Sequence, residues 1–245
     1  FSALQCENLK LYLERTRITE LYIDGKKIGR QESLCTPHIY DLNEYIGTGI
    51  HEMTICVSNV GYKTKGGHLT SPDTQTNWNG ITGRIELIGY KNAHAENVML
   101  WCDIYSKTVR VTANITGGKS GKAVISAENF NSEKNHTPAV QSFEYTDGKL
   151  DALYKMGDDC LLWSEHEPNL YKLKIDIDGD VSEHIIGMRE FRTEGGKFTI
   201  NGEKTFLRGK HDGMIFPKTA FAPTDLDEWL RVMKISKSYG MNHYR

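Results

Sequence analysis

The hydrophobic pattern over most of the chain is that of short β-strands. In the segment LKLYLERT every second residue is apolar, so Leu9, Leu11 and Leu13 are predicted to share one buried face. Similar alternating or β-branched runs return at short intervals through about four fifths of the sequence. The predicted class of this region is therefore mainly β.

Four dipeptides predict tight turns between these strands. They are Asp24-Gly25, Asp147-Gly148, Asp178-Gly179 and Asn201-Gly202. A two-residue hairpin turn requires positive φ at both central residues, which Asp, Asn and Gly tolerate best. Repeated hairpins of this kind are typical of β-sandwiches.

Two changes in composition divide the strand region. The stretch 61–83 is rich in Gly, Thr, Ser and Asn and predicts a long loop inside a first sandwich. After a polar stretch at 90–97, strand patterns restart at VMLWCDIY and continue to EHIIGMREF. They supply about seven strands, the number in an immunoglobulin-like sandwich.

The last part of the chain changes to a helical period. Apolar residues recur at helical spacing at Leu226, Trp229, Leu230 and Met233. Thr224 with Asp227 predicts an imperfect capping box at the start of this helix, and Gly240 predicts its end. The strand TFLRG precedes the helix and a strand MNHYR follows it, so the order predicts one β-α-β unit of a parallel sheet or barrel.

A complete (β/α)₈ barrel needs about 250 residues, and only about 40 follow TFLRG, so we expect only its beginning. The first sandwich is also expected to be incomplete at its start, because a jelly roll uses about eight strands. The predicted domains are 1–90, 91–192 and 193–245.

Composition and charge narrow the classes of partner. The net charge of −2 and the pI of about 6.5 argue against nucleic acid and fit a neutral ligand better. No apolar run approaches the roughly 20 residues of a membrane-spanning helix. The five cysteines show neither metal-ligand spacing nor a complete disulfide framework, and apolar neighbours predict buried thiols at Cys56 and Cys102. No metal and no cofactor are expected.

Five stretches in fixed order carry a family resemblance. They read LYLERT…LYIDGKKIGRQESLCTPHIYDL, NWNGITGRIELI, HEPNLYKLKIDI, IGMREFRTEGGKFTINGEKTFLRG and APTDLDEWLRVMKISKSYGMNHYR. In this order they resemble glycoside hydrolase family 2, which includes β-galactosidases, β-glucuronidases and β-mannosidases. The resemblance implies a galactose-binding-like jelly roll, an immunoglobulin-like sandwich and the start of a TIM barrel.

The resemblance also implies a function and supporting residues. It implies part of a retaining exo-β-glycosidase whose two catalytic carboxylic acids lie beyond Arg245, so no catalytic residue is assigned and this chain is expected to be inactive. Arg208, His211 and Asp212 match positions at the end of the first barrel strand, and Arg245 matches an arginine that supports the active-site carboxylates. Gly213 stands where His is usual in β-galactosidases, which argues against fixing the sugar as galactose.

A loop of the first domain supplies further candidates by the same resemblance. Asp73 is the nearest acid before the NW-x-GI stretch, and Asn77 and Trp78 are expected to line the sugar pocket. The alternatives are that Trp78 only packs its loop and that Arg208 is a structural salt-bridge partner. The acids of SEHEPNLY, Glu165 and Glu167, are interpreted as solvated loop residues.

Two other kinds of protein fit the same pattern. One is a noncatalytic carbohydrate-binding β-sandwich protein, against which the predicted β-α-β unit argues. The other uses the sandwiches as the interface of a homo-oligomer. A periplasmic or extracellular location is expected if the parent is a bacterial polysaccharide-degrading enzyme.

Overall fold

A computed structural model describes most of the chain. The residues described are 8–62, 80–90, 92–212, 216, 218–219, 222–223 and 225–245. Strands predominate, which confirms the mainly β class, and the described part contains a single helix. Two compact units are present, Phe1–Asn92 and Ala93–Arg245.

The first unit has two antiparallel three-stranded sheets. Its strands are β1 (Asn8–Leu13), β2 (Ile18–Ile23), β3 (Lys26–Glu32), β4 (His38–Asp41), β5 (Met53–Ser58) and β6 (Ile85–Tyr90). One sheet has the order β4-β1-β6 and the other β3-β2-β5. Leu9, Leu11 and Leu13 are buried in a core to which both sheets contribute, as the alternation predicts.

The burial of Cys56 was predicted wrongly. Strand β5 alternates, with Met53 and Ile55 packed against the core and Cys56 exposed on the opposite face. Apolar neighbours in the sequence therefore misled the prediction, because side chains in a strand point to one face at every second residue.

A buried polar network joins the two sheets of the first unit. His38 on β4 is fully buried; its Nδ1 lies 2.6 Å from the hydroxyl of Thr19 on β2, and its Nε2 lies 3.0 Å from the carbonyl of Ser33. The Tyr40 hydroxyl donates to the Thr19 carbonyl at 3.0 Å. A neutral imidazole with its proton on Nε2 satisfies both contacts, and burial lowers the pKa of His38.

The second unit contains the predicted seven-stranded sandwich. Its strands are β7 (His94–Asp103), β8 (Thr108–Thr116), β9 (Gly121–Asn129), β10 (Gln141–Tyr145), β11 (Lys149–Lys155), β12 (Tyr171–Ile177) and β13 (Asp180–Ile186). The sheets have the orders β11-β8-β7 and β10-β9-β12-β13. All four predicted turn pairs, here and in the first unit, have positive φ at both residues.

Smaller elements complete the second unit. They are β14 (Phe191–Glu194), β15 (Lys197–Ile200), β16 (Glu203–Thr205), β17 (Gly209–Lys210), α1 (Leu226–Ser238) and β18 (His243–Tyr244). Strands β14, β15 and β16 form an antiparallel sheet, and β17 pairs with β18 in parallel. The β-α-β unit is therefore present, but its first strand begins at Gly209, the last residue of the predicted TFLRG strand.

The start of helix α1 differs from the prediction. Asp225 is the N-cap, and its side chain accepts a hydrogen bond from the Glu228 amide at 2.8 Å. The capping pattern is thus Asp225-x-x-Glu228, one residue after the predicted one, while Thr224 lies outside the described residues. Gly240 ends the helix with φ of 77°, as predicted. Within the described part, no helix is long and apolar enough to cross a membrane.

The His38 network predicts that the first unit loses stability in acid. Because burial lowers the folded-state pKa, the unfolded chain binds its proton first as pH falls below about 6.5. The stabilisation is complete above that value and is lost below it. We expect His38→Gln to cost about 1–3 kcal/mol at neutral pH and to remove its share of the pH dependence.

Urea unfolding of the wild type and of His38→Gln, each at neutral and at mildly acidic pH, measures this effect. His51 is the control in the same unit, because its hydrogen bond to Asp24 raises its pKa. His51→Gln should therefore shift the pH dependence in the opposite direction. If the free energy of unfolding changes equally with pH in the wild type and in His38→Gln, the prediction is contradicted.

Candidate functional site

The parallel pair β17 and β18 separates the candidate residues into two groups. Arg208 and Asn242 immediately precede the two strands, whereas His211, Asp212 and Arg245 follow them. The Asn242 amide donates to the Arg208 carbonyl at 3.1 Å, and the Asp212 amide donates to the Arg245 carbonyl at 2.8 Å. The structure therefore brings Asp212 and Arg245 together at the C-terminal end of the pair, the end at which barrel enzymes place their sites.

Asp212 is held by two neighbours at this C-terminal end. The Tyr244 hydroxyl donates to its carboxylate, and the Lys210 ammonium lies 3.0 Å from the same oxygen. The Lys210 nitrogen also lies 5.2 Å from the centroid of the Tyr244 ring. The hydrogen bond to Asp212 raises the pKa of Lys210, and burial followed by the same carboxylate raises that of Tyr244. Both partners therefore stay protonated at neutral pH and fix the orientation of the carboxylate.

His211 and Arg245 lie beside this cluster with exposed side chains. Their position leaves both available to a ligand at the C-terminal end of the strands. The first-domain candidates Asp73, Asn77 and Trp78 lie outside the described residues, as does Gly213.

Arg208 has a different environment at the N-terminal end. Its Nε donates to the Gly240 carbonyl at 2.7 Å, and its Nη2 forms an ion pair with Glu165. Its backbone amide donates to the Asn242 side chain at 2.8 Å. These contacts favour the structural alternative for Arg208, because they place its guanidinium at the end of the strands away from Asp212.

Glu165 links both strands to the sandwich. Its carboxylate pairs with Arg208 and accepts a hydrogen bond from the Asn242 side chain at 2.7 Å. The hydrogen bond from Asn242, together with the charge of Arg208, lowers the pKa of Glu165. The interpretation of this acid as a solvated loop residue was wrong, whereas Glu167 is 68% exposed and 4.0 Å from Lys134.

Sequence reasoning missed Glu165, Asn242, Lys210 and Tyr244. For Asn242 a signal was present, because it precedes the second strand as Arg208 precedes the first, and residues so placed in parallel strands are neighbours. The role of Glu165 depends on a contact across 77 residues, which local pattern does not reveal.

A cavity of about 500 Å³ lies beside the Glu165 contacts. Its lining includes Trp163, His166, Leu207, Met233, Met241 and His243. His211, Asp212 and Arg245 do not line it, so the cavity and the C-terminal cluster are separate features. Of the residues around Asp212, Tyr244 alone also lines this cavity. We therefore place the candidate site at the C-terminal ends of β17 and β18.

The Glu165 contacts predict a specific loss of order in the β17–α1–β18 unit. Glu165→Ala removes the partner of Arg208 and Asn242 and should cost on the order of 1 kcal/mol. Hydrogen–deuterium exchange should quicken in the peptides around β17 and β18 and stay unchanged in β7 to β13. Glu167→Ala, in the same loop, is the matched control and should change neither the stability nor the exchange around β17 and β18.

The same experiment has an acid arm. Because the folded-state pKa of Glu165 is below the usual 4.5, its contribution is present above that value and is lost as pH falls through the folded-state value. In strong acid the protection of β17 and β18 from exchange in the wild type should therefore fall to that in Glu165→Ala. Equal exchange rates around β17 and β18 in Glu165→Ala and in the Glu167→Ala control at neutral pH would refute the role of Glu165.

Comparison with known proteins gives a consistent result. Residues 93–189 match the family model described as Glycosyl hydrolases family 2. A β-galactosidase of Thermoanaerobacter pseudethanolicus is 26% identical over 244 residues, which is 93% of this chain and 32% of that protein. A β-galactosidase of Leuconostoc mesenteroides is 23% identical over 234 residues, covering 87% of this chain and 22% of that protein.

Solved structures extend the likeness to the fold. The structure of a glycoside hydrolase family 2 β-galacturonidase from Eisenbergiella tayi, bound to galacturonate, aligns with a TM-score of 0.75 at 19% identity. The alignment covers 100% of this chain and 44% of that one. The chain thus spans between 22% and 44% of the length of these three proteins. The resemblance to glycoside hydrolase family 2 that the sequence predicts is thereby confirmed.

Proposed function

We propose that this chain is part of a retaining exo-β-glycosidase that hydrolyses terminal β-linked sugars. The observation that carries the proposal is the parallel β17–α1–β18 unit, which brings Asp212 and Arg245 together at its C-terminal end. The same chain is similar along most of its length to β-galactosidases. Carbohydrate is therefore the proposed substrate class.

In the proposed reaction, one carboxylic acid protonates the leaving oxygen and a second forms a glycosyl-enzyme intermediate. We place both acids on barrel strands outside residues 1–245. Asp212, fixed by Lys210 and Tyr244, is proposed to accept a hydrogen bond from a sugar hydroxyl. Arg245 is proposed to keep a neighbouring catalytic carboxylate ionised and oriented, because a guanidinium favours the charged form of a carboxyl group.

The remaining candidate residues have supporting roles in this proposal. His211 is exposed beside Asp212 and is assigned to substrate binding. Asp73, Asn77 and Trp78, which lie outside the described residues, remain proposed substrate-binding residues, Trp78 by stacking on an apolar sugar face. Arg208 is proposed to act indirectly, by holding the strands through Glu165.

A noncatalytic carbohydrate-binding protein is the second candidate. The observation in its favour is that the seven strands β7 to β13 enclose a continuous core of their own, including Val111, Ile125, Tyr154 and Leu173. Such a sandwich needs no barrel to fold. The β-α-β unit that follows it is the reason to prefer the glycosidase, because a self-sufficient binding module does not require one.

The proposal predicts that residues 1–245 alone do not hydrolyse glycosides. Purified chain is incubated with nitrophenyl β-galactoside, β-glucuronide and β-galacturonide, and the release of nitrophenol is measured. We expect none above the blank, because the proposed catalytic acids are absent. Turnover that persists through further purification would show that the essential groups lie within this chain.

A second prediction concerns Asp212 in the protein encoded by the whole reading frame. Asp212→Asn cannot keep the charge that pairs with Lys210, so we expect kcat/KM to fall by roughly tenfold or more. Asp227→Asn, in the first turn of α1, is the control and should retain activity. An unchanged kcat/KM for Asp212→Asn would remove the proposed role of Asp212. A reading frame without further carboxylates on barrel strands, or a whole protein without turnover, would favour the noncatalytic candidate.

A further inference from the structure

The outward face of the sheet β11-β8-β7 carries an apolar and polar cluster that the proposed reaction does not use. We call it the Trp101 face, and it consists of Met99, Trp101, Arg110, Asp151 and Leu153. Trp101 pairs with Arg110, which pairs with Leu153, so these three form one row across the sheet. Met99, Trp101 and Leu153 are 54%, 49% and 55% exposed. Large side chains half exposed in one place indicate a contact surface.

The outward face of the other sheet in the same sandwich differs. Lys174 forms ion pairs with Glu128 and Glu183 at 3.6 and 3.5 Å, which is the character of a solvated surface. Its exposed apolar residues, such as Val181, are β-branched, and strands favour such residues for their own stability. Strand propensity does not explain Met99 and Leu153, so the Trp101 face requires another reason.

Arg110 lies over one side of the Trp101 ring, and the residue as a whole is 49% exposed. The guanidinium carbon of Arg110 lies 5.8 Å from the ring centroid, so the cation covers one side. Strand β7 is the edge of its sheet, and in the described part no strand is hydrogen-bonded to its other side. The indole therefore offers a flat apolar surface at the edge of the sandwich.

The polar groups beside the ring carry no net charge together. Arg110 Nε and Nη2 donate to the two carboxylate oxygens of Asp151 at 2.9 and 2.6 Å. An arginine has five N–H donors, so this bidentate pair leaves others for a ligand. A neutral face next to an aromatic ring favours an uncharged ligand that combines apolar surfaces with hydroxyl groups.

The size of the face distinguishes between kinds of occupant. Three strands lie about 4.8 Å apart, and the two rows of side chains lie about 7 Å apart along the strands. A patch of these dimensions is far smaller than the roughly 800 Å² per partner that a stable protein interface buries. It matches a ligand of a few sugar rings better than a second protein chain.

We propose that the Trp101 face binds a neutral β-linked oligosaccharide. The apolar C–H side of one pyranose ring stacks on the side of Trp101 away from Arg110, and hydroxyls at the ring edge bond to Arg110 and Asp151. A β-1,4-linked glucose chain is flat and extended, which suits a sheet surface without a groove. This binding uses no residue of the β17–α1–β18 unit, so it does not depend on the proposed hydrolysis.

Calorimetric titration of the chain with cellohexaose, a neutral β-linked glucose oligomer, tests the proposal. We expect saturable binding that Trp101→Ala weakens at least tenfold and that Trp101→Phe, which keeps a smaller ring, weakens less. Val181→Ala on the opposite sheet is the matched control and should bind as the wild type does. Thermal unfolding of each variant verifies that its sandwich remains folded.

Three outcomes would overturn the proposal. One is the absence of binding at millimolar cellohexaose, and another is unchanged affinity in a folded Trp101→Ala variant. The third is concentration-dependent dimerisation of the wild type that Trp101→Ala abolishes, since the face would then contact a second copy. None of these results depends on glycoside turnover, so they leave the proposed function to its own tests.

Discussion

The β17–α1–β18 unit depends on one carboxylate, that of Glu165, which contacts the residues preceding both β17 and β18. Each of these strands has only two residues, so their own backbone pairing contributes little. The ion pair with Arg208 and the hydrogen bond from Asn242 connect them to a loop of the sandwich, which has an extensive core of its own. Because Glu165 is partly shielded from solvent, removing one partner of its ion pair costs more than it would in a freely exposed pair.

This arrangement separates structural support from the proposed binding site. Glu165 fixes the N-terminal ends of the two strands, and the C-terminal ends then place Asp212 and Arg245 together. At that end Lys210 and Tyr244 restrict the Asp212 carboxylate in turn. A group whose position is set by packing and by neighbouring hydrogen bonds does not have to be ordered when a ligand arrives, which lowers the entropic cost of binding.

Local chemistry was sufficient to predict much of the fold but little of the site. Alternation in β1 and the Asp-Gly and Asn-Gly turns depend on adjacent residues, and for that reason they were predictable. The face of Cys56 depends on strand phase, and the partners of Glu165 are distant residues. The cap at Asp225 is local, but the sequence pattern placed it one residue too early. The prediction put Arg208 at the end of the strand TFLRG, whereas the paired strand begins at Gly209, a boundary that tertiary pairing determines.

The position of Glu165 in the chain also has a consequence for the order of assembly. It lies 43 residues before Arg208 and 77 before Asn242, so a ribosome completes the sandwich before it releases either partner. Domains generally fold as units from the N-terminus during synthesis. A folded sandwich would then present the carboxylate as a fixed anchor, and the short strands that follow would dock onto a finished surface rather than search for each other.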